Sequence, residues 1–80
     1  MALSLQLSPD GSAITDGHHV ATHTQTFEVP QGFWAEGWLD SQTVVLRLDS
    51  GELAYVRVGS PTTVHNFGFK GEFVAALPGV

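Results

Sequence analysis

The amino-acid sequence predicts an all-β protein built from antiparallel hairpins. Short stretches rich in valine, leucine, threonine and phenylalanine alternate with turn residues along the 80 positions. A turn about every ten residues is typical of sandwiches, barrels and propellers. No window shows the i, i+3, i+4, i+7 apolar spacing of a helix over three turns. We therefore predict about seven to nine short strands and no helix.

The first half of the chain predicts three extended segments separated by turns. Leucines alternate with polar residues over residues 3–7, as in a half-buried strand. Residues 8–11 (Ser-Pro-Asp-Gly) predict a turn, because proline presets φ and glycine adopts positive φ. A short strand over residues 13–15 ends at Asp16-Gly17, a dipeptide that favours a two-residue hairpin. Residues 18–29 are rich in β-branched and aromatic side chains, which favour extended backbone.

The second half predicts five further strands. Residues 33–39 form the first, with Trp34, Glu36 and Trp38 on one face. Gly37 indicates a bulge or a bend within it. The remaining predicted strands cover residues 43–48, 53–58, 62–69 and 72–77.

The sequence nearly repeats itself after 40 residues. The identical pairs are Gly11 and Gly51, Thr22 and Thr62, Phe27 and Phe67, Phe33 and Phe73, and Ala35 and Ala75. A period near 40 in a strand-rich chain is the length of one four-stranded propeller blade. We therefore predict a single domain over residues 1–80, with pseudo-repeats 1–40 and 41–80 as two propeller-type blades. A small β-sandwich or barrel is the alternative.

Several short motifs resemble the β-propeller repeats of the YVTN/TolB type. They are residues 7–11 (Leu-Ser-Pro-Asp-Gly), 37–40 (Gly-Trp-Leu-Asp), 44–46 (Val-Val-Leu) and 50–53 (Ser-Gly-Glu-Leu). The chain departs from WD repeats, since Trp38 is followed by Leu39 rather than by aspartate. A closed ring takes at least about four blades. The resemblance therefore implies that copies of a two-bladed chain, for example three, complete one ring.

Size and composition favour association with other chains. A chain of this length buries only roughly 60% of the surface that its unfolded form exposes. It has no cysteine, so neither disulfides nor a cysteine metal site add stability. Two blades also leave sheet faces and edges uncovered. The sequence predicts a non-enzymatic binding or assembly module that works as a homo-oligomer.

The charge distribution argues against nucleic acid and anionic membranes as partners. The net charge is −5, and no lysine or arginine precedes Arg47. Nucleic-acid affinity depends on basic side chains that displace counterions. An acidic first half also suggests contact with the basic residues of another copy, although acidity alone keeps a protein soluble. The start of the chain lacks a basic flank and an apolar run, so we expect a cytoplasmic protein.

An aromatic stripe suggests carbohydrate recognition as the second function. The indoles of Trp34 and Trp38 would stack on a sugar ring, and Glu36 between them would accept hydroxyl hydrogen bonds. Arg47 or Arg57 would add a second polar contact. The simpler interpretation is that both tryptophans are core or subunit-contact residues.

Metal binding and catalysis have less support. His19 and His23 would share a strand face at a separation of roughly 13 Å, too far for one metal ion. A cupin-like metal site using His23, Glu28 and His65 is the third hypothesis, but the chain lacks the His-x-His pair of cupins. There is no cysteine nucleophile and no Gly-x-Ser-x-Gly motif. We therefore predict no cofactor, no metal site and no enzymatic activity.

Overall fold

The computed structural model describes residues 5–71, which form eight β-strands and no helix. The strands are β1 (Gln6–Leu7), β2 (Ile14–Thr15), β3 (His19–Ala21), β4 (Thr26–Glu28), β5 (Phe33–Asp40), β6 (Thr43–Leu48), β7 (Glu52–Arg57) and β8 (Ser60–Lys70). The all-β prediction is confirmed. Because this part of the chain has no helix, it has none that could cross a membrane. The strand predicted over residues 72–77 lies outside the described residues.

The eight strands form two four-stranded antiparallel sheets. Sheet A has the order β1-β2-β3-β4 and sheet B has the order β5-β6-β7-β8. Within each sheet, every strand is therefore hydrogen-bonded to its neighbour in sequence, as the predicted hairpins require. The chain passes from one sheet to the other through residues 29–32. Pro30 there donates no hydrogen bond and Gly32 has a φ of 91°, which suits a break between sheets.

The two sheets begin with the same kind of turn. In the β1–β2 turn, the carboxylate of Asp10 accepts a hydrogen bond from the backbone N–H of Ser12 at 2.9 Å. In the β5–β6 turn, the carboxylate of Asp40 accepts one from the backbone N–H of Gln42 at 2.8 Å. Such side-chain bonds to the amide two residues on are a mechanism by which aspartate fixes turns. The two sheets therefore share their strand order and this turn contact, with the two aspartates 30 residues apart.

The 40-residue sequence match follows a different register from the sheets. Gly11 and Gly51 both have positive φ, at 76° and 94°. Gly11 lies in the β1–β2 turn, whereas Gly51 lies in the β6–β7 turn. The boundary between residues 40 and 41 falls in the β5–β6 turn, within sheet B. The pseudo-repeats 1–40 and 41–80 stay a prediction about the sequence, and they do not coincide with the two sheets.

The core lies between the sheets and contains side chains from both. Thr15 pairs with Val20 and Val20 with Phe27, so these side chains share the inner face of sheet A. In sheet B, Leu46 pairs with Ala54 on the inner face. The buried cluster consists of Ala13, Val20, Val29, Ala35, Trp38, Val44, Leu46, Ala54, Val56 and Val58.

The first of two bulges in β5 separates the tryptophans that the sequence pattern places together. The pairing of β5 with β6 shifts between Ala35 and Gly37 and again between Trp38 and Asp40. Each shift changes which face the following side chains occupy. Trp34 is therefore 45% exposed on the outer face, while Trp38 is 4% exposed in the core. The bulge predicted at Gly37 is confirmed, and the predicted common face of Trp34, Glu36 and Trp38 is wrong.

Polar contacts fix the position of one sheet on the other. The indole N–H of Trp38 donates to the backbone oxygen of Gln6 at 3.0 Å. The side-chain amide of Gln25 donates to the backbone oxygen of Val58 at 2.6 Å. The backbone N–H of Ala35 donates to the oxygen of Gly17 at 2.9 Å. These bonds join the sheets at separate places and so define their relative orientation.

Candidate interaction surfaces

The outer face of sheet A carries a row of aliphatic side chains, two of which are largely exposed. Leu7 lies opposite Ile14, which lies opposite Ala21, so the three side chains share this face. Leu5 precedes Leu7 by two positions and is on the same side by strand alternation. Leu5 and Leu7 are 60% and 64% exposed. We call Leu5, Leu7, Ile14 and Ala21 the aliphatic face.

The outer face of sheet B carries a row of aromatic rings. Tyr55 stacks on His65, with ring centroids 4.9 Å apart. Phe67 lies 5.1 Å from Tyr55 and 5.6 Å from Phe69. Tyr55 lies between Ala54 and Val56 of the buried cluster, so strand alternation places the row on the other side of sheet B. We call Tyr55, His65, Phe67 and Phe69 the aromatic face.

The two outer faces differ in charge. Glu28 pairs with His19 and points to the same side as Ala21, on the outer face of sheet A. Sheet A contains no lysine or arginine. Arg57 shares the outer side of sheet B with Tyr55 by strand alternation. Neither Glu28 nor Arg57 forms an ion pair with another residue between positions 5 and 71.

Three of the predicted ligand-binding residues lie together at one end of the outer face of sheet B. The guanidinium Nε of Arg47 is 2.9 Å from Oε1 of Glu36, and Arg47 pairs across the sheet with Trp34. An open depression of about 370 Å³ lies beside the indole, lined by Trp34, Arg47, Leu48, Asp49 and Gly51. An exposed indole beside an ion pair could stack on a sugar ring and bond its hydroxyl groups.

The other two predicted ligand-binding residues lie elsewhere. Trp38 is in the core, with its N–H bonded to the backbone of Gln6, and offers no surface to a ligand. Arg47 pairs with Leu53 near the start of β7, whereas Arg57 is the last residue of β7 and pairs with Thr43 and Ser60. The two arginines therefore lie at opposite ends of sheet B. A carbohydrate site in this chain would therefore use one indole rather than two.

The histidines are dispersed. His18 meets the ring of Trp34 edge-on at 4.4 Å, and His65 stacks on Tyr55. Nδ1 of His19 lies 3.3 Å from a carboxylate oxygen of Asp16. From Leu5 to Gly71, no three histidine, aspartate or glutamate side chains are close enough together to hold a metal ion. The cupin-like arrangement of His23, Glu28 and His65 has no geometric support in this part of the chain.

Two turn aspartates are strongly hydrogen-bonded carboxylates. The hydroxyl and the backbone N–H of Ser12 hold the pKa of the Asp10 carboxyl well below its ordinary value of 3.8. The backbone N–H groups of His18 and His19 lower the pKa of Asp16 to about 2. Hydrogen bonds to the charged form favour that form. Both groups are therefore fixed anions at neutral pH, suited to holding turns rather than to transferring protons.

The sequence interpretation expected exposed sheet faces, but it did not identify the residues that form them. The alternating leucines of residues 3–7 and the alternation of Phe67 with Phe69 were the available signals. Alternation shows that one side of a strand is apolar, but it does not show whether another layer of the same chain covers that side.

Comparison with known proteins assigns neither a family nor a function to the chain. No protein-family model, no curated protein and no solved structure matches the chain. The functional proposals therefore depend on the geometry of the two sheets.

Proposed function

We propose that the chain is a non-enzymatic assembly module that works as a homo-oligomer. Each copy supplies two four-stranded sheets, and several copies together complete a ring of the propeller type. The observation that carries the proposal is the exposure of large apolar side chains on both outer faces, most clearly Leu7 and Phe69, at 64% and 55%. Contiguous apolar surface of this kind marks interaction sites in soluble proteins.

The energetics favour covering these faces. Fully burying a leucine or phenylalanine side chain stabilises by about 1.5–3 kcal/mol relative to leaving it in water. A chain of this length has a total stability of only roughly 4–12 kcal/mol. Contact between copies that buries several such side chains therefore adds stability comparable to that of the fold itself.

Assembly predicts a mass in solution larger than one chain. Light scattering on the wild-type protein at micromolar concentration should give a multiple of the 8.6 kDa chain mass. Leu7→Asp should weaken association by at least about 100-fold, because a buried unpaired carboxylate costs more than 2.8 kcal/mol. Its matched control is Leu39→Asp, at a residue that is also exposed but belongs to neither outer face as defined above.

Two results would contradict the proposal. One is a single-chain mass for the wild-type protein throughout the micromolar range. The other is equal loss of mass in Leu7→Asp and Leu39→Asp, since that would show a general effect of added charge. Far-UV circular dichroism of both variants confirms that the strands are retained.

A second candidate function is carbohydrate binding at Trp34, Glu36 and Arg47. The observation that favours it is the exposed indole next to the Glu36–Arg47 ion pair and the adjoining depression. On a glycan array, Trp34→Ala should reduce binding at least tenfold, because the stacking surface is removed. Arg57→Ala is the matched control and should bind like the wild type. Binding that survives Trp34→Ala would exclude this site.

A further inference from the structure

We infer that copies associate head to tail, with the aliphatic face of one chain packed on the aromatic face of the next. The inference rests on the proposed homo-oligomerisation and specifies its interface. The occupant of each face is thus a second copy of this chain, and every copy uses two different surfaces.

Charge complementarity favours this pairing. The outer face of sheet A carries Glu28 and no basic residue except the imidazole of His19. The outer face of sheet B carries Arg57, while its other arginine is already bound to Glu36. A head-to-tail contact brings opposite charges together. Pairing two aliphatic faces would instead bring two copies of Glu28 together, and pairing two aromatic faces would do the same with Arg57. Like charges across an interface suppress association.

The packing within one chain supports the same arrangement. The inner face of sheet A, with small and branched side chains such as Ala13 and Val20, already packs on the inner face of sheet B. A head-to-tail contact repeats this relation between chains, so that sheets A and B alternate throughout the assembly. Leu5 and Leu7 then cover Phe67 and Phe69, the exposed apolar residues of the opposite face.

The symmetry of the assembly follows from the use of two different faces. A contact between unlike surfaces is heterologous, and it generates a closed ring or an open filament rather than an isolated dimer. A chain with one face disabled can still bind through the other. A chain with an altered aliphatic face and a chain with an altered aromatic face should therefore form one contact with each other. No further chain can then be added to this pair.

Complementary variants test the inference. Leu7→Asp disables the aliphatic face and Phe67→Asp disables the aromatic face. Each variant alone should be a monomer by sedimentation velocity at concentrations where the wild type is assembled. An equimolar mixture should give a species of two chains, and no larger one, because the intact aromatic face of one variant accepts the intact aliphatic face of the other.

The possible outcomes distinguish failure of the head-to-tail contact from failure of the proposed homo-oligomerisation. A monomeric wild type would overturn the proposed homo-oligomer together with this interface. An assembled wild type in which either variant keeps the full mass, or in which the mixture stays monomeric, would overturn the head-to-tail contact alone. Leu5→Asp and Phe69→Asp form a second pair with the same expectations. If Leu7→Asp or Phe67→Asp shows no cooperative unfolding transition, and so is not folded, the corresponding variant of the second pair is used in its place.

Discussion

Replacing Trp38 by alanine is expected to remove a large part of the stability of the fold. The side chain is 4% exposed, and its indole N–H donates to the backbone oxygen of Gln6 in the other sheet. Truncating a buried tryptophan costs about 3–5 kcal/mol through lost burial and the cavity that remains. A chain of this size has roughly 4–12 kcal/mol in total. Urea denaturation followed by circular dichroism should show a midpoint far below that of the wild-type protein.

Trp34→Ala is the matched control for this prediction. The same atoms are removed, but from a side chain that is 45% exposed on the outer face of sheet B. Because roughly half of the ring is already in water, we expect a loss of about 1–2 kcal/mol. A Trp38→Ala variant as stable as Trp34→Ala would show that the bulge at Gly37 does not turn Trp38 into the core.

Replacing Gly17 by alanine is expected to have the second largest effect on stability. Gly17 has a φ of 101°, a conformation that costs about 1–3 kcal/mol for a residue with a side chain. An added Cβ would also lie 2.5 Å from Cζ2 of Trp34, well inside van der Waals contact. The indole or the turn must therefore move, which adds about 1–3 kcal/mol. The measurement is the free energy of unfolding in urea.

Gly11→Ala separates the two causes. Gly11 has a φ of 76°, but an added Cβ there would meet no atom within 4 Å. This variant therefore carries the backbone cost without the collision. Gly17→Ala should be the less stable of the two by at least about 1 kcal/mol. Equal stability of the two variants would mean that Trp34 does not pack against the β2–β3 turn.

Local turn chemistry explains why so much of the fold follows from the sequence. Asp10-Gly11 and Asp16-Gly17 are turn sequences, and both glycines have the positive φ that such turns require. The hydrogen bonds of the Asp10 and Asp16 carboxylates to nearby amides act over two or three residues. Interactions of this range are contained in a short stretch of sequence, so the hairpins could be predicted from it.

The faces of the strands were harder to predict because they depend on partners distant in sequence. Simple alternation placed Trp34 and Trp38 on one side of β5, whereas pairing with β6 introduces a bulge between Ala35 and Gly37 that turns Trp38 inward. The glycine at position 37 indicated this bulge, but not that the bulge moves Trp38 to the opposite face from Trp34. The candidate site changed accordingly, and only Trp34, Glu36 and Arg47 of the five predicted residues lie together.

The exposure of Leu7 could not be predicted from its strand for a related reason. Its alternation with Gln6 predicts an apolar side, and burial of that side depends on whether another layer covers it. Both sides of sheet A are rich in apolar residues, but sheet B covers only the side that carries Thr15 and Val20. The free side is the aliphatic face, from which the head-to-tail assembly is inferred.

The dependence of unfolding on chain concentration tests the central claim most directly, because association stabilises the folded state by mass action. The midpoint of urea denaturation of the wild-type protein should rise as the chain concentration increases from about 1 to 100 μM, whereas that of Leu7→Asp should stay constant. A wild-type midpoint that does not change over this hundredfold range would show that each copy folds alone, with its outer faces in water.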